Sequence, residues 1–87
     1  MTKLNSDIKI QEKIKSYIHQ AAHVSPDKIQ NDSLIFKEGY FDSMGFMLLI
    51  TFIEEEFNIK VGDADLLEEN FESINAITNF ISQKTQA

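Results

Sequence analysis

Residues 42–57 read Asp-Ser-Met-Gly-Phe-Met-Leu-Leu-Ile-Thr-Phe-Ile-Glu-Glu-Glu-Phe. Nothing in the run from Ser43 to Phe57 breaks a helix except Gly45, and apolar residues recur at helical spacing. The stretch therefore predicts a helix starting at Asp42 or Ser43 and ending near Phe57. Met44, Met47, Ile50, Ile53 (or Glu54) and Phe57 mark one face, while Phe46, Leu48, Leu49 and Phe52 add apolar surface outside it. A helix apolar nearly all round is either central to a core or partly exposed for a partner. The Glu54-Glu55-Glu56 end opposes the helix dipole, since carboxylates disfavour a C-terminus. That run reads either as a solvated face or as a surface that meets a partner.

The elements on either side are also helical. From about Ser6 to Ala22, Ile10, Ile14, Tyr17, Ile18 and Ala21 form an apolar face, and Ser6 or Asp7 can cap the start. A long connection from about His23 to Phe41 follows. Ser25-Pro26-Asp27 can open a brief turn with Ser25 as cap, and Asn31-Asp32-Ser33 reads as a turn. Leu34, Ile35 and Phe36 are too apolar for a free linker, so some of them dock into the core. Glu38-Gly39 breaks the chain before the next helix. A connection this long in a small domain points to function. Beyond Asn58–Gly62, with Ile59 and Val61 inward, Asp63 can cap a short helix containing Leu66 and Leu67 and ending near Asn70. Ser73 can cap the last helix, which buries Ile74, Ile77, Phe80 and Ile81. The expected core is Ile10, Ile14, Ile18, Leu34, Met47, Ile50, Phe57, Val61, Leu67, Phe71, Ile74, Ile77 and Phe80. The 87 residues form one domain, ordered over about 6–82 with frayed termini.

Composition narrows the function classes. The chain has no cysteine, so neither disulfides nor thiolate metal sites hold it together. Its formal net charge is −6, which disfavours nucleic acid and anionic membranes and favours basic protein partners. No apolar run reaches membrane-span length, and the first residues lack a signal-peptide core. A cytoplasmic monomer is expected.

Asp42-Ser43-Met44 sits where a glycine-broken loop enters the apolar helix. Asp42 fits the N-cap, and Ser43 then falls at the first helical position. The first-turn N–H groups lack partners within the helix, and they and the dipole favour a phosphate there. A phosphodiester on the Ser43 hydroxyl is therefore well placed. Asp42 would repel that phosphate but can help hold a metal ion while it is attached. Taken alone, these three residues are better explained as a helix cap.

The wider pattern resembles the acyl carrier protein family over about Ile8 to Ile81. The resemblance rests on Phe41-Asp42-Ser43-Met44-Gly45 followed by Ile53-Glu54-Glu55-Glu56-Phe57, set among a first amphipathic helix, a long loop, and short and final helices. It implies an all-α four-helix bundle with a long loop between helices 1 and 2 and a short third helix. It further implies that Ser43, within a motif that includes Asp42, carries 4′-phosphopantetheine. A separate phosphopantetheinyl transferase would attach the arm from coenzyme A with Mg²⁺. The arm's thiol would then carry acyl or aminoacyl groups as thioesters to loading and accepting enzymes, as in fatty acid or polyketide biosynthesis. The chain itself would have no catalytic residue and no resident metal.

Two departures concern cargo and docking. Fatty-acid carriers usually place a glycine two residues before the aspartate, whereas Gly39 lies three before Asp42; this variant looks more like D-alanyl carrier proteins. Positions that are acidic early in the family's second helix are Gly45 and Leu48 here. Partner contact is therefore expected from Met44, Phe46, Leu48, Glu54 and Glu55, with Phe52 adding apolar surface. A core able to shelter an apolar chain is also expected.

Other readings carry less. His19 and His23 are four apart, but two solvated histidines explain them without a metal. Gly62-Asp63-Ala64-Asp65 with Glu68 and Glu69 lacks calcium-loop spacing. Ser43 as a hydrolase nucleophile lacks both a Gly-x-Ser-x-Gly turn and a nearby histidine. A non-carrier helical adaptor that binds a basic partner is the alternative from another class.

Overall fold

The first helix, α1, spans Lys3–Ala22 in the computed structural model, which describes residues 3–25 and 27–86. It buries Ile10, Ile14 and Ile18 and half-buries Tyr17, while Ala21 is exposed. The helix begins before Ser6, so Ser6 and Asp7 lie within it and do not cap it. Asp7 instead ties α1 to the last helix, its carboxylate accepting a hydrogen bond from the Ser82 hydroxyl at 2.7 Å. His23 ends α1 in the left-handed region, with φ 57°.

The connection from His23 to Asp42 is pinned to the body of the domain. Ile29 and Ile35 are fully buried, with Leu34 and Phe36 half-buried beside them. The Ile35 N–H donates to the Glu72 carbonyl at 2.9 Å, and the Asn75 N–H donates to the Asn31 carbonyl at 2.9 Å. The Ile35 carbonyl in turn accepts from both Tyr40 and Phe41. These bonds satisfy backbone groups that burial would otherwise strand. The Asn31-Asp32-Ser33 turn closes between Gln30 and Ser33. Lys28 N–H reaches the Ser25 carbonyl at 3.0 Å, and Pro26 lies outside the described residues. Gly39 reverses the chain at φ 85°, a conformation costly for a side chain.

Helix α2 spans Ser43–Phe57, and Asn58 ends it at φ 54°. A 3-10 turn, Asp63–Asp65, precedes α3 (Glu68–Phe71) and α4 (Ile74–Gln86). Leu66 and Leu67 fall between the turn and α3, not in one short helix, because Leu67 is extended at φ −106°, ψ 138°. Asp63 opens the turn without capping it. The Asp65 carboxylate closes the turn by accepting the Gly62 N–H at 2.9 Å. Ser73 does cap α4, its hydroxyl accepting the Ala76 N–H at 3.1 Å. The tail expected to fray stays helical to Gln86, and Lys84 reaches back to Asp65 at 2.7 Å.

The four helices form an all-α bundle with no strand among the described residues, and α4 packs against α1, α2 and α3. Its core holds the expected isoleucines with Phe71 and Phe80, and adds Ile29, Ile35, Phe41, Leu49, Ile53 and Ile81. Two expected members, Met47 and Leu67, are instead exposed, and Leu34, Phe57 and Val61 are only half-buried. The Phe71 ring meets Phe46 at 5.5 Å and Phe80 at 4.9 Å. Each such contact adds about 0.5–1.5 kcal/mol beyond the area it buries.

Candidate functional site

The entrance of α2 is built by Asp42. Its backbone is extended, at φ −110°, ψ −167°, and its carboxylate accepts the Gly45 N–H at 2.9 Å. Its carbonyl accepts the Phe46 N–H at 2.9 Å, which starts the helical ladder. The Ser43 and Met44 N–H groups belong to the first turn, which a helix cannot pair internally. Ser43 occupies the first helical position and is exposed. The hydroxyl thus stands at the positive end of α2, in the geometry the sequence suggested.

Two features of this entrance were not legible in the sequence. Phe41 is buried directly under Gly45. A Cβ at residue 45 would stand 3.1 Å from the Phe41 ring, so glycine lets the loop close onto the helix. Beside Ser43 lies an open apolar groove of about 460 Å³, lined by Phe36, Phe41, Phe46, Met47 and Leu66 with Asp42 and Glu68. Glycine next to an aromatic-flanked motif hints at close approach. The groove depends on Leu66 arriving from a distant segment, which no local pattern announces.

The residues expected to meet partners divide into two groups. Met44 and Leu48 are 69% and 56% exposed, and Met47, expected in the core, joins them at 62%, an unusual degree for large apolar side chains grouped on one helix. Glu55 is exposed as well. Phe46, by contrast, is half-buried and packs edge-on against Phe36 and Phe71. Phe52 stacks on Tyr17 at 4.2 Å, and this burial pushes the Tyr17 phenol pKa up. Glu54 accepts the Val61 N–H at 2.9 Å, and Glu56 pairs with Lys13 at 2.6 Å. Two of the three acids therefore have bonds inside the domain, and only Glu55 of the run points to solvent without such a bond.

The remaining candidates stay apart from this site. His19 is half-buried, with a ring nitrogen 3.5 Å from the Ile29 carbonyl, and His23 is exposed. Among the described residues no three His, Cys, Asp or Glu side chains converge as metal ligands. No described helix is long and apolar enough to cross a membrane.

Comparison with known proteins bears on the same stretch. A family model described as the phosphopantetheine attachment site matches residues 12–81, which include Ser43. An acyl carrier protein of Buchnera aphidicola subsp. Baizongia pistaciae is 36% identical over 74 residues, covering 85% of this chain and 92% of its own. An acyl carrier protein of Bdellovibrio bacteriovorus is 26% identical over 78 residues, covering 90% and 97%. One from Thermosynechococcus vestitus is 27% identical over 78 residues, covering 90% and 94%.

Proposed function

We propose, because this chain belongs to the acyl carrier protein family, that Ser43 is the residue to which its phosphopantetheine arm is joined, and that the arm's thiol carries an acyl group as a thioester between enzymes. The observation that carries this is the exposed Ser43 hydroxyl at the first position of α2, beside a cap made by Asp42. In the attachment the hydroxyl gives up its proton and forms an ester bond to phosphorus. The pyrophosphate bond of coenzyme A breaks, and adenosine 3′,5′-bisphosphate leaves. First-turn N–H groups and the helix dipole favour the resulting phosphodiester. The Asp42 carboxylate opposes that charge in the finished carrier and helps hold Mg²⁺ during transfer.

The chain catalyses nothing itself in this reading; the arm and the partner enzymes supply the chemistry. Those partners are a phosphopantetheinyl transferase and acyl-loading and acyl-accepting enzymes, working in the cytoplasm. Docking falls to Met44, Leu48 and Glu55, with Met47 added on account of its exposure. Phe46 and Glu54 contribute less, because both are bound within the domain. An acyl cargo is favoured over D-alanine, since the relatives are named acyl carriers.

The test is direct. Incubation with coenzyme A, Mg²⁺ and a broad-specificity transferase should raise the intact mass by one phosphopantetheine, and Ser43→Ala should abolish the gain. An unchanged wild-type mass with several transferases would refute the carrier reading. A Ser43→Ala protein that still gains the arm would refute the residue.

A further inference from the structure

We propose that Phe46 closes the interior of this carrier to its cargo, so that the loaded group stays in the surface groove beside Ser43 and the carrier suits short, uncharged acyl groups; this rests on the carrier function proposed above. Phe46 lies three residues after Ser43 on α2, and both line the open groove. The ring lines that groove together with Phe36 and Phe41. Behind it, Phe71 is fully buried with its ring centroid at 5.5 Å and an interplanar angle of 75°. Phe80 on α4 follows at 4.9 Å. To the side, Phe36 meets Phe46 at 5.5 Å and 75°.

At these separations the ring edges are in contact, and the rings run without a break from the groove through α3 to α4. A methylene chain passing inward from Ser43 must displace Phe46 from two edge-to-face partners. Close-packed interiors give up such space only at a cost. The expected sheltering core is therefore not available along this route, and a longer chain leaves more methylenes in water. Asp42 and Glu68 line the same groove, so a cargo ending in a carboxylate would meet like charge there.

The test loads wild type and Phe46→Ala with coenzyme A, butyryl-, octanoyl- and tetradecanoyl-coenzyme A through the transferase, and compares melting temperatures. The wild-type forms should melt within about 2 °C of one another, whereas a sheltered octanoyl chain would raise the midpoint by about 10 °C or more. Phe46→Ala should gain such a rise on octanoylation. If that variant is unfolded when unloaded, recovery of a cooperative melt on octanoylation is the same result. A wild-type midpoint that climbs with chain length, or a Phe46→Ala protein indifferent to its cargo, overturns the inference and leaves the carrier reading intact. Failure of wild type to accept any arm overturns both.

Discussion

Asp42 caps α2 and is proposed to serve arm attachment as well, and substitution can separate the two roles. Its carboxylate accepts the Gly45 N–H at 2.9 Å, so Asp42→Ala strands a first-turn donor. Loss of such a cap costs about 1 kcal/mol, within a range of about 0.5–2 kcal/mol. The site is exposed, and water can re-solvate the freed N–H, which argues against the upper end. In a domain of this size about 1 kcal/mol lowers the melting temperature by about 4–8 °C. Asp42→Asn keeps an acceptor oxygen in the same place and caps as well as aspartate. It loses only the charge–dipole contribution, about 0.3–1 kcal/mol at low salt and less at physiological salt. In thermal unfolding followed by far-UV circular dichroism, wild type should therefore melt highest, Asp42→Asn slightly lower and Asp42→Ala lowest. Arm attachment should rank differently: both variants lack the carboxylate assigned to Mg²⁺, so both should be slow. An Asp42→Ala protein that melts with wild type would refute the cap, and an Asp42→Asn protein modified at the wild-type rate would refute the role in attachment.

Two further outcomes test how the sequence is read. Met47→Ala should change stability by no more than about 0.5 kcal/mol, because the side chain is exposed, whereas Leu49→Ala should cost about 2–5 kcal/mol by opening a fully buried site; urea denaturation of both variants checks this. The Asp65 carboxyl is held below the usual range by its hydrogen bond from Lys84 and then by that from the Gly62 N–H, so its contribution is present above the unfolded-state carboxylate pKa and is lost as pH falls through the lower folded value. Lys84→Met should therefore flatten the fall in melting temperature on the acid side of neutrality while leaving its shape above about pH 6 unchanged, and an unaltered acid limb would show the pair to be idle.

What the sequence revealed and concealed follows from how local each signal is. Caps are local, and Asp42 and Ser73 both act where their spacing put them. The isoleucine stripe of α1 is local too, and Ile10, Ile14 and Ile18 are all buried. The long loop was partly legible: an apolar Leu34-Ile35-Phe36 run had to dock somewhere, and Ile35 does. Ile29 and Phe41 are buried as well, in a loop that Ile35 and Asn31 tie by backbone bonds to Glu72 and Asn75, far along the chain. Asp7 looked like a cap by type, yet its partner is Ser82, 75 residues away. A short polar side chain announces that it will bond, and tertiary structure decides to what.

The buried face of α2 shows how a period can be misread. Met44, Met47, Ile50 and Ile53 step by three residues, and a helix turns about 100° per residue, so nine residues carry the chain about 180° past whole turns. Met44 and Ile53 therefore belong to opposite faces. A face that holds its direction must mix steps of three and four, and Phe46, Leu49, Ile50, Ile53 and Phe57 do so. Of these, Leu49, Ile50 and Ile53 are buried, and the two phenylalanines are half-buried against the core. The second apolar set, Met44, Met47 and Leu48, then has no packing role that would account for it. Exposed apolar surface costs solubility and adds nothing to the fold, so its grouping on the helix that Ser43 opens supports the docking role proposed for it. Methionine suits such a surface, since an unbranched thioether can repack against successive partners of different shape. In the proposed reading, a carrier that meets a transferase, a loading enzyme and an accepting enzyme through α2 needs that adaptability more than it needs one complementary contact.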